Sequence, residues 1–278
     1  MTTWFITGTS TGFGRIMTER LLARGDSVAA TLRDPRLLDG LRASAGDRLW
    51  VSELDVTDPV AVEHVVGAAF EHFGVIDVLV SNAGYGTFGA AEELSREQIR
   101  RSIDTNLLGS IDVIRAFIPL LRRQGHGRIL QVSSAGGQAA VPGFAAYHAA
   151  KWGVEGFCES VTPELAALGI GMTIVQPGAS PTQFTPSRDD GSTLDVYDLG
   201  PVGEVRRAIA GGAITHPNDP AKIADAMIAC ARTEPAPLRL PLGADAEAAL
   251  RGAYQQRLAG LDEQRDAARS VALDDAAV

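Results

Sequence analysis

Short apolar runs alternate along the chain with longer segments in which apolar residues recur at helical spacing. Each apolar run has the length of a buried β-strand, and most intervening segments have the length of a crossover helix. The six predicted strands are Trp4 to Thr7, Val28 to Leu32, Leu49 to Val51, Val78 to Val80, Ile129 to Val132 and Met172 to Val175. This alternation is typical of βαβ units, in which right-handed crossovers join parallel strands.

Helical periodicity fills most of the segments between these strands. Apolar residues recur at helical spacing from Phe13 to Leu22, and Gly25 follows as a residue suited to ending a helix. The other predicted helices are Val60 to Phe73, Ser95 to Arg123, Tyr147 to Leu168 and Pro220 to Arg232, with Ser95 as an N-cap. No repeat and no Gly/Ser-rich linker divides residues 1–278, so the pattern predicts a single α/β domain with a doubly wound parallel sheet, the Rossmann fold.

Two stretches depart from this pattern. Residues 183–219 are rich in Pro, Gly, Asp and Thr, which are poor core material, so we expect a mobile loop-and-helix insert that acts as the substrate loop. Residues 240–278 are expected to form a C-terminal helical extension that ends in an acidic tail. The tail is either an interaction element or a solvated helix end, and the solvated end is the simpler interpretation.

Charge and cysteine usage exclude several classes of partner. With 25 basic and 34 acidic residues the formal charge is −9, so we expect neither nucleic acid nor a membrane surface as a partner. Cys158 and Cys230 lie in no CxxC or Cys/His cluster, which predicts no disulfide framework, no metal site and a reducing, cytoplasmic compartment. The start, MTTWFITGTS, lacks the features of a secretory signal, and no uncharged apolar stretch reaches about 18 residues.

A glycine-rich turn follows the first predicted strand. Residues 7–14 read TGTSTGFG, with glycines at 8, 12 and 14. Glycines at such a turn let the backbone approach a pyrophosphate, and the free N–H groups of the helix N-terminus bind its charge. A turn with a purely structural role is the alternative.

The second strand ends at Leu32, Arg33 and Asp34, where a dinucleotide fold meets the ribose on the adenine side. The guanidinium of Arg33 is suited to binding a 2′-phosphate. Alternatively, Arg33 is a solvated loop residue and Asp34 binds a 2′-hydroxyl. The residues themselves leave both interpretations open.

Tyr147 and Lys151 stand four residues apart in YHAAK, so both project from one helix face. An ammonium beside a phenol favours the phenolate, and we therefore expect Lys151 to lower the pKa of Tyr147. Such a pair is also common in helices with no catalytic role. Ser134 follows a predicted strand and is placed to polarise a carbonyl group, with Ser133 as the competing candidate.

Together these motifs resemble the short-chain dehydrogenase/reductase family over roughly residues 3–232. The TGxxxGxG spacing is similar to that of its shorter, single-domain branch, and the YHAAKWGVEGF, SSAGG and PGF segments look most like reductases related to hydroxysteroid and retinol dehydrogenases. The resemblance implies a catalytic tetrad of Asn106, Ser134, Tyr147 and Lys151. It also implies that Tyr147, Lys151 and a further set of residues bind the cofactor: Gly8, Ser10, Gly12, Phe13, Gly14, Asp55, Val56, Asn82, Ala83, Gly84, Pro177, Gly178 and Thr182.

Within that set, the resemblance assigns the glycines of residues 7–14 to the pyrophosphate, Asp55 and Val56 to the adenine, residues 82–84 to the adenosine ribose, and residues 177–182 to the nicotinamide. Two positions depart from the family pattern. Thr11 stands where many NADP-binding relatives carry a basic residue, which leaves Arg33 alone to face a phosphate. Pro181 precedes Thr182 and restricts the local backbone.

The expected function is an NAD(P)-dependent oxidoreductase that interconverts a ketone or aldehyde and an alcohol. NADP is the expected cofactor, with NAD possible. Tyr147 would transfer the proton, Ser134 would steady the oxyanion, and Asn106 would order a water relay behind Lys151. Two alternatives stay open: a non-catalytic regulator that senses a dinucleotide, and a lyase, dehydratase or epimerase that reuses the tetrad.

The substrate and the assembly are less well defined by the residues. Phe144, Phe184 and Gln138 are candidate walls of an apolar cleft for a small carbonyl or alcohol substrate, with core packing as the alternative for the phenylalanines. The resemblance implies a homo-oligomer, a dimer or tetramer, that pairs through the two long helices. Trp152, Phe157 and Val161 are then either core or interface residues.

Overall fold

The computed structural model describes residues 1–184, 186–213 and 215–273. The strands are β1 (Thr3–Thr7), β2 (Ser27–Leu32), β3 (Leu49–Glu53), β4 (Val78–Ser81), β5 (Thr87–Phe88), β6 (Gly127–Val132), β7 (Ile170–Pro177), β8 (Asp189–Asp190) and β9 (Arg239–Leu242). Seven of them form one parallel sheet in the order β3-β2-β1-β4-β6-β7-β9, while β5 and β8 pair separately.

The helices are α1 (Gly12–Ala23), α2 (Asp39–Ala45), α3 (Pro59–Phe73), α4 (Arg96–Ile103), α5 (Gly109–Gln124), α6 (Ala145–Ala166), α7 (Pro201–Ala210), α8 (Pro220–Cys230), α9 (Ala244–Glu263) and α10 (Arg265–Arg269). The predicted N-cap at Ser95 is confirmed, because its hydroxyl accepts from the N–H of Gln98 while the Gln98 side chain accepts from the N–H of Ser95. The single helix predicted over Ser95 to Arg123 is α4 and α5 joined by a π-helical segment, Asp104–Leu108.

The strand order reverses between β1 and β4. From β1 the chain builds outward through β2 to β3, returns to β4 on the other side of β1, and then builds outward through β6 and β7 to β9. A doubly wound sheet of this kind opens a crevice at the carboxyl ends of its strands at the reversal point. The predicted α/β class and Rossmann fold are confirmed, and we expect a ligand to bind in this crevice.

Both faces of the sheet are covered, which explains why its strands are apolar at successive positions. On one face Trp4 packs with Met17 of α1 and with residues of α8. On the other face Phe5 packs with Val66 of α3 and with Phe117 of α5, whose ring centroid lies 4.9 Å from that of Phe5. The side chains at all five positions are buried to within 1% of full burial. The carboxyl ends of the strands are therefore held on a rigid base.

The sequence-based boundary of the C-terminal extension at residue 240 is wrong by one strand. Arg239–Leu242 pairs with β7 as the edge strand β9, and the extension begins at Ala244. The segment RLPL has no long apolar run, and it contains a proline that is tolerated in an edge strand. Residues 274–278, which carry the predicted acidic tail, and Thr185 and Ile214 of the predicted insert lie outside the described residues.

The predicted insert contains β8, a short 3-10 turn and α7 within the part that the structure describes. Of the three residues of α6 left open as core or interface, Val161 is buried in the core and Phe157 packs against it, whereas Trp152 is 40% exposed. None of the helices in the described ranges is both long and apolar enough to cross a membrane.

Candidate active site

A cleft of about 1550 Å³ lies at the carboxyl ends of the strands, where the strand order reverses. Its walls come from the glycine-rich turn after β1, from the ends of β2, β4, β6 and β7, from α6 and from the insert. The structure brings nearly all of the predicted site residues into these walls. Only Gly14 and Asn106 do not line the cleft, and both lie directly behind residues that do.

The glycine-rich turn is shaped by close contacts that only glycine permits. Gly8 and Gly12 have φ angles of 71° and 57°, in the left-handed region. A methyl group at Gly14 would collide with the carbonyl oxygen of Gly8 and would lie 2.7 Å from Nδ2 of Asn82. That amide donates to the carbonyl oxygens of Thr7 at 2.9 Å and of Gly8 at 3.1 Å. Asn82 thus ties the end of β4 to the turn after β1.

The N-terminus of α1 fits an anionic ligand. Its N-cap residue, Thr11, makes no side-chain capping bond, so the first N–H groups of the helix stand at the cleft without a side-chain acceptor. Uncapped N–H groups and the helix dipole together favour a phosphate at this position. Thr182 faces Gly12 across the cleft, since a methyl group on Gly12 would lie 3.7 Å from Cβ of Thr182. The residues present therefore fit the pyrophosphate of a dinucleotide.

At the adenine-side end of the cleft, the structure separates the two candidates after β2. Asp34 forms a double hydrogen bond with Arg36, with Nε to Oδ1 at 2.8 Å and Nη2 to Oδ2 at 2.9 Å. The hydrogen bond with Arg36 lowers the pKa of the Asp34 carboxyl. Arg33 is exposed, lines the cleft beside the buried Leu32, and forms no salt bridge among the described residues. Asp34 does not line the cleft.

Asp55 and Val56 follow β3 and also lie in this half of the cleft. The exposed carboxylate of Asp55 accepts through one oxygen, Oδ1, from the N–H of Thr57 at 2.9 Å and from its hydroxyl at 2.8 Å. Its second oxygen stays available to a ligand. Val56 is buried and packs against Gly109, where a methyl group would come within 2.8 Å of Cγ2 of Val56.

Ser134, Tyr147 and Lys151 converge at the centre of the cleft. The Ser134 hydroxyl hydrogen-bonds the phenol of Tyr147 and accepts from the N–H of Gly136 at 3.0 Å. Nζ of Lys151 donates to the carbonyl oxygen of Val132 at 3.0 Å. Tyr147 is 6% exposed and Lys151 is 4% exposed, so both polar groups work in a largely dehydrated environment.

The expectation that Lys151 lowers the pKa of Tyr147 is wrong in this structure. Burial raises the pKa of Tyr147 to about 12, and the hydrogen bond with Ser134 offsets only part of this rise. Burial also lowers the pKa of Lys151 to about 8. The cost of desolvating a phenolate outweighs an ammonium that lies 5.8 Å from the ring centroid. Tyr147 therefore keeps its proton at neutral pH.

Asn106 is fully buried in the π-helical segment between α4 and α5. Its Oδ1 accepts from the N–H of Tyr85 at 3.1 Å, while Nδ2 donates to the carbonyl oxygens of Tyr85 at 3.1 Å and Ser102 at 3.0 Å. A methyl group on Gly84 would lie 2.6 Å from Oδ1 of Asn106 and 3.7 Å from Nζ of Lys151. Asn106 and Lys151 thus meet at Gly84, and the Asn106 side chain holds the loop after β4.

Ser133 and Ser134 point to different partners, which separates the two candidates. The hydroxyl of Ser133 donates to Oε1 of Glu155 at 2.6 Å inside the protein, whereas the hydroxyl of Ser134 faces Tyr147. Ser133 is 4% exposed, and its hydroxyl is already engaged. Of the two, Ser134 is the one placed to contact a reacting carbonyl.

At the far end of the cleft, after β7, sequence reasoning missed Asp245, which lines the cleft, and Asn218, which lies behind it. Oδ2 of Asp245 accepts from the N–H of Ala179 at 2.7 Å, and Oδ1 accepts from Nδ2 of Asn218 at 2.7 Å. The Asp245 carboxylate occupies the space beside Gly178, where a methyl group would collide with it. Pro177, Gly178 and Thr182 line this end of the cleft. The one sequence signal for Asp245 was an acid in the first turn of a helix, which names no partner.

Aromatic rings wall the part of the cleft nearest Tyr147. The ring centroids of Phe184 and Phe144 lie 5.4 Å and 6.4 Å from that of Tyr147, and both phenylalanines line the cleft. His148 also lines it, and burial lowers its pKa to about 4, so the imidazole is neutral. Gln138 does not line the cleft, contrary to expectation, because its amide donates to Oε2 of Glu155 at 2.8 Å.

Fold and site together define a class of protein. A doubly wound sheet with an uncapped helix N-terminus behind a glycine-rich turn fits a dinucleotide. The half-buried Ser134 and the buried Tyr147 and Lys151 beside it carry a hydroxyl, a phenol and an ammonium, which are groups able to transfer a proton and to contact a developing oxyanion. This combination is that of a nicotinamide-dependent oxidoreductase.

Comparison with known proteins identifies the family. The model described as short chain dehydrogenase matches residues 2–192. Oxidoreductase BOA17 of Botryotinia fuckeliana (strain B05.10) is 37% identical over 244 residues, which cover 87% of this chain and 89% of the relative. The chain belongs to the short-chain dehydrogenase/reductase family and is an NAD(P)-dependent oxidoreductase acting between hydroxyl and carbonyl groups.

Solved structures agree with this assignment. A crystal structure of a short-chain dehydrogenase from Streptomyces avermitilis has a TM-score of 0.89 and 36% identity, with 98% of each chain covered. An alcohol dehydrogenase from the archaeon Thermococcus sibiricus, solved as a complex with 5-hydroxy-NADP, has a TM-score of 0.71 and 27% identity, with 87% of this chain and 96% of that chain covered.

Proposed function

We propose that this enzyme reduces the carbonyl group of an uncharged, apolar ketone or aldehyde with NADPH. The observation that carries the proposal is the convergence of Ser134, a protonated Tyr147 and Lys151 in a cleft whose substrate side is walled by Phe144 and Phe184. When bound, the reduced nicotinamide supplies the hydride. The protein supplies the proton, the polar contacts to the carbonyl oxygen and the exclusion of water.

The roles proposed for the four residues of the tetrad rest on their contacts. The Tyr147 phenol keeps its proton at neutral pH and donates it to the carbonyl oxygen as that oxygen gains charge. The Ser134 hydroxyl, beside the phenol, donates a hydrogen bond to the same oxygen. Lys151, fixed by the carbonyl oxygen of Val132, would hold the ribose of a bound nicotinamide. Asn106, behind Lys151, keeps the loop at Gly84 in place, and the water relay expected of it belongs to this proposal.

The charges at the mouth of the cleft support an uncharged substrate. Arg101 pairs with Asp189 at 2.6 Å, and Arg188 donates to Asp190 at 2.7 Å. Both guanidinium groups line the cleft, but each is already neutralised by a carboxylate. A substrate carboxylate or phosphate would have to displace one of these pairs, whereas an apolar substrate meets the ring of Phe184 without such a cost.

The preference for NADPH is supported by the end of β2. Leu32, which is 3% exposed, presents no acid to a 2′-phosphate, Arg33 stands at the cleft, and Asp34 is engaged with Arg36. The relative from Thermococcus sibiricus was solved with an NADP derivative. Gly8, Ser10, Gly12, Phe13 and the other residues assigned to the cofactor above would hold the rest of the dinucleotide.

We expect the purified enzyme to consume NADPH when it is offered apolar ketones or aldehydes. The measurement is the loss of the near-ultraviolet absorbance of the reduced nicotinamide across a carbonyl panel, with a carboxylate-bearing analogue of each substrate as the matched comparison. Turnover of the neutral compound in preference to its analogue supports the proposal. Product without net cofactor conversion would point to a lyase or epimerase, and cofactor binding without turnover of any carbonyl would point to a regulator.

The insert over residues 183–219 is proposed as the substrate lid. Val205, Ala208 and Ile209 of α7 line the same cleft as Ser134, Tyr147 and Lys151. The insert is tied down by Arg206, whose guanidinium donates to both oxygens of the buried Glu93 at 2.7 and 2.6 Å. It follows a strand at the carboxyl edge of the sheet, where lids of doubly wound enzymes act.

Hydrogen exchange tests the lid. We expect the amides of α7 to exchange more slowly when cofactor and substrate are both bound than with either alone, because closure buries the apolar face of α7 against the ligand. Peptides from α3, which lies away from the cleft, serve as the internal reference. Equal rates of amide exchange for α7 in all three states would show that the insert does not act as a lid.

A homo-oligomer and a cytoplasmic location belong to the same proposal. Association through α5 and α6 is supported by the exposure of Trp152 on α6 and of Leu108, the residue directly before α5, which are 40% and 46% exposed. The buried free thiols of Cys158 and Cys230 support a reducing compartment.

A further inference from the structure

The buried carboxylate of Glu155 lies outside the tetrad and is surrounded by hydrogen-bond donors. Glu155 is fully buried on α6, one turn after Lys151. Oε1 accepts from the hydroxyl of Ser133 at 2.6 Å, and Oε2 accepts from the amide of Gln138 at 2.8 Å. The amide of Gln176 on β7 lies 3.0 Å from both oxygens. Burying a carboxylate is costly unless it is fully paired, so this arrangement indicates a specific task.

Two of these donors, Ser133 and Gln138, are the first and last residues of the serine turn, residues 133–138, which also contains Ser134. Within the turn, the N–H of Gly137 donates to the carbonyl oxygen of Ser134 at 2.9 Å, and the N–H of Gly136 donates to the Ser134 hydroxyl oxygen at 3.0 Å. A methyl group at Gly137 would collide with Oε1 of Glu155. The carboxylate therefore touches the backbone of the turn as well as both of its ends.

The outer side of the turn is held by the C-terminal extension. Nε1 of Trp152 donates to the carbonyl oxygen of Gly136 at 3.0 Å. The guanidinium of Arg257 on α9 stacks 4.4 Å from the Trp152 ring centroid and donates to the carbonyl oxygen of Gln138 and to its Oε1. Because these contacts fix the outer side of the turn, its position relative to the protein interior depends on its hydrogen bonds with Glu155.

Resting on the function proposed above, we propose that Glu155 is a positioning residue that holds the serine turn and thereby sets the place of the Ser134 hydroxyl against the substrate carbonyl. Its carboxylate is required, because Ser133, Gln138 and Gln176 all present donors to it. An amide in its place would oppose one of these donors with a donor of its own. A displacement of about 1 Å at a catalytic group is enough to lower a rate by as much as about a hundredfold.

The charge of Glu155 acts on Lys151 as well. It raises the pKa of Lys151 against the larger lowering caused by burial, which leaves that pKa at about 8. The other titratable groups around this pair are Tyr147, Cys158 and Glu159 on α6 itself and Arg239 on β9. Burial keeps the pKa values of Tyr147 and Cys158 at about 12, so neither ionises near neutral pH. Removing the charge of Glu155 therefore makes Lys151 lose its proton at lower pH.

The test compares Glu155→Gln and Ser133→Ala with the matched control Glu159→Gln, in which the exchanged acid also pairs with Arg239 but touches neither Ser133 nor Gln138. We expect kcat to fall about tenfold or more in Glu155→Gln and about threefold to tenfold in Ser133→Ala, with the Kd of NADPH within about threefold of the parent. The alkaline limb of kcat should move to lower pH by roughly half a unit to one unit in Glu155→Gln alone.

A second measurement needs no turnover. Without cofactor, the amides of the serine turn should exchange faster in Glu155→Gln and Ser133→Ala than in the parent and in Glu159→Gln, because both changes release the turn. Ser133→Ala removes one hydroxyl and keeps the negative charge of Glu155. It therefore still tests whether Glu155 holds the serine turn if Glu155→Gln fails to fold.

The two proposals fail in different ways. If Ser134→Ala keeps the full rate of carbonyl reduction, the proposed function is wrong, and the exchange measurement still tests whether Glu155 holds the turn. If Ser134→Ala is impaired while Glu155→Gln and Ser133→Ala keep a kcat within about twofold of the parent, the positioning role is overturned. Unchanged exchange in the turn overturns it as well.

Discussion

Tyr147→Phe should reduce the rate of carbonyl reduction by roughly two to four decades while leaving the affinity for the cofactor nearly intact. The change removes one hydroxyl and keeps the ring that packs between Phe144 and Phe184. The loss is large because the phenol is the group placed to donate the proton, and its pKa of about 12 keeps it protonated at neutral pH. Steady-state reduction of one good substrate, with cofactor affinity measured separately, checks the prediction.

Tyr254→Phe is the matched control for this experiment. Tyr254 lies on α9, is 42% exposed and does not line the cleft, so the same loss of a hydroxyl should leave the rate unchanged. A folded Tyr147→Phe enzyme that kept a rate within about threefold of the parent would show that another group donates the proton. The proposed mechanism would then be wrong.

Arg33→Ala should weaken NADPH far more than NADH. A charge-assisted hydrogen bond between the guanidinium and a 2′-phosphate contributes on the order of 1.5 to 3 kcal/mol, which corresponds to roughly a tenfold to hundredfold preference. Asp34 does not oppose this preference strongly, because Arg36 neutralises it. Values of kcat/KM for both coenzymes with one carbonyl substrate measure the effect.

Leu32→Asp is expected to move the preference toward NADH, because a carboxylate at the end of β2 repels a 2′-phosphate and accepts from a 2′-hydroxyl. Arg42→Ala is the control, since Arg42 is an exposed arginine on the nearby helix α2 that does not line the cleft. A parent enzyme that favours NADH would contradict the assignment of Arg33 to the phosphate. An Arg33→Ala variant whose kcat/KM fell equally for NADPH and NADH would contradict it as well.

The strand pattern was readable because periodicity is a local property of the chain. Six of the seven strands of the main sheet were predicted, and each has the length of a strand buried on both faces. β9 was missed because RLPL is short, partly exposed and interrupted by Pro241, and so has no apolar run typical of a strand. Its hydrogen bonding to β7 makes it a strand. Such an edge strand is defined by its neighbour.

The tetrad residues were predicted from motifs and from the family resemblance that these motifs carry, but the pKa shifts within the tetrad were not predicted. Tyr147 and Lys151 are four residues apart on a helix and therefore share a face. Whether the pKa of the phenol is lowered or raised depends on how deeply the pair is buried. Residues far apart in the chain set that burial, and it reversed the expected sign of the Tyr147 shift. Ser133 stayed a competing candidate to Ser134 until the partner of Ser133, 22 residues away, was known.

By itself the sequence determined the α/β class, the family and most of the predicted residues that meet in the cleft, because periodicity, glycine spacing and short motifs each depend on residues close together in the chain. Only the tertiary structure decided which serine faces Tyr147, that Asp34 is taken by Arg36, and that Glu155 and Asp245 hold the turns on which the site is built. These outcomes depend on burial and on hydrogen bonds between distant segments, which exist only once the chain has folded.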